Sequence, residues 1–185
     1  PIMAIQNFVD TIKELEFAMA GIRQVMPEIE HDKNTAIKEM GELTAIASKY
    51  GESVVGVADA AKSIGRMYGK DEDENGNKSL GLGRTNTNIM TAQAAKMAVA
   101  DAFSLETAFR GLESAMAQWN LQTENTAMLM TNTNRIIETW TIAAHTGAAS
   151  AQDIANAIEV AGTAASQACV SCEFFNPLLS TAVRQ

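Results

Sequence analysis

"SAQDIANAIEVAGTAASQACVSC", residues Ser150 to Cys172, decides how the whole chain is read. It has the periodicity of a helix, carries almost no large side chains, and closes on a Cys-x-x-Cys. Ser150 with Asp153 three residues on resembles a capping box, Asp standing in for the usual Glu. Ile154, Ala157, Ile158, Ala161, Ala165 and Ala168 then line a narrow apolar face, with Gln152, Asn156, Glu159, Thr163 and Gln167 opposite. A contact face that small predicts a helix packed closely against its neighbour. Ser171 is placed to cap one more helix. There Pro177 leaves two readings: the helix kinks, or Asn176 is a fresh N-cap with Pro177 at the first helical position.

The same periodicity runs outward from this stretch. Ile5, Phe8, Ile12, Leu15, Met19, Ile22 and Met26 alternate three and four apart, a single apolar stripe that Pro27 ends. A second stripe has Ala36, Met40, Leu43, Ala47 and Tyr50, with Gly51 as its stop. Ser53 can cap a third, Val54, Val57, Ala61, Ile64 and Tyr68, ended by Gly69. Helical pattern resumes near Thr87 with Met90, Ala94, Met97 and Ala98. Ser104 reads as the cap of Leu105, Phe109, Leu112, Met116 and Trp119. Another helix begins near Thr123 and runs through Ile136, Ile137 and Trp140 to Gly147. Residues 70–85, including "KDEDENGNKSLGLGR", form the one long acidic loop and divide two helical groups, 1–69 and 86–185. The expectation is a single all-α domain of about six to eight helices over 1–185, with no strand pattern competing.

Composition agrees. Of 185 residues, 46% are hydrophobic, so a core can be buried, and only three are proline. Much of the apolar fraction is alanine, the best helix former. The chain opens on Pro1 and stops within the helical pattern of "LLSTAVRQ", so a piece of a longer protein is expected. No run approaches the roughly 18 apolar residues of a membrane helix. The net charge is −8, with lysines and arginines scattered, which disfavours direct phosphate or nucleic-acid binding.

Three features invite chemistry. Cys169 and Cys172 have the spacing of a redox pair or half a zinc site. Zinc needs four ligands, there is no second cysteine pair, and the two histidines, His31 and His145, are distant in sequence. A thioredoxin-like site follows a strand, whereas a helix precedes this one. Asp71, Asp73, Asn75 and Gly76 match the first half of an EF-hand loop, with Ser79 at its ninth position. Leu82 stands where a bidentate Glu should close the shell and Lys78 at a usually apolar place, so at most weak calcium binding is expected. His145 suits the carbonyl end of a helix. No phosphate loop, H-E-x-x-H or G-x-S-x-G occurs, so neither catalytic nor cofactor-binding residues are assigned and no enzyme is expected.

The order of segments carries a resemblance. "ELEFAMAGIRQV" (14–25), "ETAFRGLESAMAQWNLQTENTAMLM" (106–130) and everything from Arg135 to Gln185 resemble the core region of phage tail tape-measure proteins. The likeness is most specific from Arg135 onward, where W-x-x-x-A leads into a Ser/Thr-capped helix ending in AS-x-A-small-VS-aromatic-E. Residues 70–90 carry none of it. The family usually has Gly or another small residue where Cys169 stands, a large apolar residue at Cys172, and a helix-compatible residue at Pro177.

That resemblance implies a structural tail protein, concerned with tail assembly and tail length. The implied partners are the tail tube, tail-assembly chaperones and the baseplate or tip, with self-association. The implied place is the host bacterial cytoplasm during assembly, then the virion tail. Composition and periodicity fit equally a generic helical protein–protein interaction module of a bacterial adaptor or signalling protein. A metal or redox enzyme using the CVSC pair or the acidic loop is the third class.

Overall fold

Most helix starts are set by side chains whose chemistry marks them. The computed structural model describes residues 2–26, 29, 32–67, 83–101, 103–146 and 149–182. Among the described residues there are eight α-helices and no strand. These are α1 (Ile2–Val25), α2 (Lys33–Tyr50), α3 (Val54–Met67), α4 (Gly83–Asp101), α5 (Leu105–Gln118), α6 (Thr126–Thr146), α7 (Ala151–Gln167) and α8 (Cys172–Ala182).

Asp32 caps α2, its carboxylate accepting from the backbone N–H groups of Asn34 and Thr35 at 3.0 and 3.2 Å. Ser53, Ser104 and Ser171 cap α3, α5 and α8, each hydroxyl accepting from the N–H three residues on. The box at α7 is reciprocal: Asp153 N–H donates to Ser150 Oγ at 3.1 Å, and Ser150 N–H donates to Asp153 Oδ2 at 3.0 Å. α6 starts slightly later than its pattern suggests. Asn125, not Thr123, is its cap, accepting from Met128 N–H at 3.0 Å, while Thr123 Oγ1 accepts from Asn125 N–H.

Several hydroxyls inside the helices bond locally. Thr44, Ser63, Thr87, Thr91, Thr131, Thr133, Thr139 and Thr146 each donate to the carbonyl four residues earlier, at 2.7–2.9 Å. α8 runs through Pro177 as one helix, so Asn176 is not a new N-cap. Asn176 is instead buried and donates from Nδ2 to Cys172 Sγ at 3.5 Å.

The chain divides into two compact units, residues 1–91 and 92–185. The boundary falls inside α4, whereas the sequence pattern put the division in the 70–85 loop. The physical reason is that α4 begins at Gly83 rather than near Thr87, and its first turns are bonded to α2 through Arg84 and Asn88. The loop's core, 68–82, lies outside the described residues, as do Pro27, Gly69 and Gly147.

In the N-terminal unit α3 lies against both α1 and α2. Met19, Ile22, Leu43, Val57, Ala61 and Ile64 are buried there, at roughly 1.5–3 kcal/mol for each large side chain. Of the α1 stripe, Met19, Ile22 and Met26 are buried, whereas Ile12 is exposed.

In the C-terminal unit α5 lies against α7, α6 against α8, and α7 also meets α6 and α8. Trp140 is fully buried and its ring tip reaches Gly111 of α5. The small side chains of the 150–172 stretch now have their reason. A Cβ placed on Gly111 would lie 2.6 Å from Ala155 Cβ, 2.9 Å from the Trp140 ring and 3.2 Å from Ala155 Cα. α5 and α7 thus meet backbone to backbone, Ala108, Ala115, Ala151 and Ala155 being buried at this crossing's two helices.

Candidate functional site

The Cys-x-x-Cys sits at the corner between α7 and α8. α7 ends in a Schellman turn: Val170 N–H donates to Ala165 O and Cys169 N–H to Ser166 O, both at 2.9 Å. Cys169 therefore takes the left-handed conformation, with φ +58°. Trp119 locks the corner from outside, its indole N–H donating to Val170 O at 2.8 Å and its ring lying 5.8 Å from that of Phe175. Ser166 Oγ donates to Gln118 O, joining the ends of α5 and α7. The end of α5 has the same device, with Asn120 at φ +52° and Leu121 N–H donating to Met116 O at 2.8 Å.

The two thiols differ. Cys169 is exposed and Cys172 buried, and both are free. Burial pushes the Cys172 thiol up to about 11, with Glu173 pushing the same way and the Asn176 N–H and Arg135 opposing. A thiol so held is protonated at neutral pH and is a poor nucleophile or metal ligand. Arg135 of α6 forms an ion pair with Glu173 next to it.

The left-handed backbone at position 169 makes a testable point. An L-residue with a side chain pays roughly 1–2 kcal/mol to sit there, and glycine does not. Cys169→Gly should raise the stability of the protein by about 0.5–1 kcal/mol, less than the strain because glycine gains freedom in the unfolded chain. Urea unfolding of the two proteins measures it, and a loss of stability would mean that the exposed thiol makes an interaction worth more than the strain.

Asp71, Asp73, Asn75, Ser79 and Leu82 of the EF-hand-like loop, and His31, lie outside the described residues. His145 is exposed in the last turn of α6, as its helix-end reading has it. Among the described residues no three His, Cys, Asp or Glu side chains are grouped to hold a metal ion, and no helix is long and apolar enough to cross a membrane.

The polar cluster that the structure does assemble was not among the sequence candidates. Glu39 of α2 is 0% exposed. Arg84 Nη1 donates to Glu39 Oε2 at 2.9 Å and to Glu42 Oε2 at 2.8 Å. Asn88 Nδ2 donates to the same two oxygens at 3.0 and 2.8 Å. Two carboxyl groups thus share two donors, while Glu39 Oε1 and Asn88 Oδ1 are buried without a hydrogen-bond partner. Burial raises Glu39 above the ordinary carboxyl value, with the Arg84 and Asn88 hydrogen bonds pulling it down. For the more exposed Glu42 the same burial effect is outweighed by those bonds, and its carboxyl is lowered. The signal in the sequence was Arg84 and Asn88 four apart, one face of a helix opposite Glu39 and Glu42, three apart on another.

No family model, no curated protein and no solved structure matches the chain.

Proposed function

We propose that this chain is a core segment of a phage tail tape-measure protein and serves there as a compact helical docking module in tail assembly. The reading rests first on the likeness of residues 135–185 to that family. One observation carries it further. The family pattern has Gly or another small residue at position 169, and this is where the backbone takes φ +58°, the conformation glycine favours. The fold suits the docking role rather than the ruler. A ruler should be one uninterrupted rod, adding about 1.5 Å per residue. Here the longest helix among the described residues has 24 residues, and the helices pack on one another within each unit.

The partners in this reading are the tail tube, the tail-assembly chaperones, the baseplate or tip, and further copies of the chain. The setting is the host cytoplasm during assembly, then the virion tail. The alternative, an interaction module of an adaptor or signalling protein, parts from it on gene context: tail-tube and baseplate genes on either side belong to the first reading only.

Deleting residues 5–184 from the parent phage tests the role. Tail assembly should fail or yield aberrant tails, seen by electron microscopy of lysates. Intact tails shortened by about 270 Å, the helical length of the deleted residues, would make the segment an extended ruler and end the docking reading.

A further inference from the structure

The exposed Lys38 reaches only Glu42, at 3.9 Å, so in the Glu39 cluster one positive charge faces both carboxyl groups. Arg84 supplies that charge, and both of its bonds to the cluster come from the same Nη1. Were both carboxyls ionised, Glu39 would carry its charge on a fully buried side chain while sharing Arg84 with Glu42, and such an ion is strongly penalised away from water. Glu39 Oε2 receives two donors and Oε1 none. Asn88 is in the converse position: its Nδ2 is used twice, while its Oδ1, also buried, receives no donor. A single proton on Glu39 Oε1 removes that buried charge and supplies the hydrogen the amide oxygen lacks.

We propose that Glu39 is the protonated member of this carboxyl pair, its Oε1–H serving the buried Asn88 amide oxygen, so that the joint between α2 and the first turns of α4 is a proton-dependent latch that loosens as pH rises. The groups around it fit that assignment. Glu42, on the same helix, keeps the negative charge: it is less buried, faces Arg84 and has Lys38 at 3.9 Å. From α3, which also packs on α2, Asp59 and Arg66 are exposed, and Lys62 lies over the Phe17 ring of α1. Arg84 is therefore the cation that faces Glu39, and Glu42 the anion that repels its charged form.

The sign of the pH dependence follows. Burial raises the folded-state value of Glu39, so the folded protein holds this proton more tightly than the unfolded chain does. The resulting stabilisation is complete below the ordinary glutamate value and is lost as pH rises through the folded-state value. Glu42 works the other way, because its carboxyl is lowered: its contribution is present above the ordinary value and lost in acid.

Urea unfolding of the full 185-residue protein, Glu39→Gln and Glu42→Gln between pH 4.5 and 8 tests the latch. Gln at position 39 keeps an acceptor and replaces the O–H by a permanent N–H donor. The unfolding constant of the wild type should climb relative to Glu39→Gln as pH rises. Each unit by which the folded-state value exceeds the ordinary one gives about tenfold. Glu42→Gln should instead be less stable than the wild type by a nearly constant factor over this range, because the Glu42 contribution is lost only below the ordinary glutamate value. A wild-type to Glu39→Gln ratio that stays flat or falls with pH would mean that Glu39 is an ordinary ion-paired carboxylate, and the proposal would be wrong. Carbon-13 NMR titration of the glutamate side chains in the wild type decides the matter even if Glu39→Gln does not fold. Glu39 should remain protonated well after Glu42 has ionised, and ionisation of Glu39 together with or before Glu42 overturns the latch.

Discussion

Trp140→Ala should destabilise the C-terminal unit by about 3–5 kcal/mol. The indole is fully buried among α5, α6 and α7, so truncation loses both its transfer free energy and the contacts around the cavity left behind. Small domains are stable by only about 5–15 kcal/mol, so the variant stands close to unfolding at ambient temperature. Trp140→Phe should cost much less. It keeps most of the ring and removes an indole N–H that has no hydrogen-bond partner in the fold. Urea unfolding with near-ultraviolet circular dichroism reads both. Equal losses for the two variants would mean that the indole nitrogen, not the ring's volume, holds this region together.

Gly111→Val should cost about 2–3 kcal/mol. The crossing of α5 and α7 leaves no room for a β-carbon, and the nearest atoms include the Ala155 backbone, which cannot rotate away. Helix propensity opposes the loss only weakly, since valine improves on glycine by a few tenths of a kcal/mol. Gly41 in α2 is the control. Nothing lies within 4 Å of a Cβ built there, so Gly41→Ala should stabilise by up to about 1 kcal/mol. Thermal unfolding of both variants distinguishes steric overlap from a general effect of losing glycine. A Gly111→Val protein as stable as the parent would show that the two helices separate easily.

The helices and their caps were legible because their signals are local. Ser53, Ser104, Ser150 with Asp153, Ser171 and Gly51 act where their chemistry places them, within three or four residues of what they bond. The core of α5 was legible for the same reason: Leu105, Phe109, Leu112 and Met116 repeat at helical spacing and all are buried. The stripe of α2 was misread at one place. Positions 39 and 40 both fit a face containing Ala36, Leu43 and Ala47, and hydrophobicity favours Met40. The fold buries Glu39 and leaves Met40 36% exposed, because donors for the carboxyl group arrive from Arg84 and Asn88, some 45 residues further on. No local pattern announces a partner at that distance. The start of α4 was hidden likewise: glycines at 81 and 83 read as loop, while the contacts that hold Arg84 in a helical turn are tertiary.

The Cys-x-x-Cys was readable only in part. Its spacing suggests a pair acting together, but the turn at Cys169 separates an exposed thiol from a buried one that accepts from Asn176. A left-handed residue other than glycine leaves no mark in the sequence, so the strain at this corner became visible only with the backbone.

The hydroxyls that bond back onto their own helices change what water meets at the protein's surface. A threonine whose Oγ1–H is committed to the carbonyl four residues earlier has no donor left for water and offers it only acceptor lone pairs beside a methyl. On α6, Thr131, Thr139 and Thr146 are in this state with exposed or half-exposed side chains. Met128, Met130 and Ile142 of the same helix are exposed as well. α6 therefore wears an oilier coat than its lettering suggests, since its bonded threonines give water acceptors but no donors between exposed Met and Ile side chains.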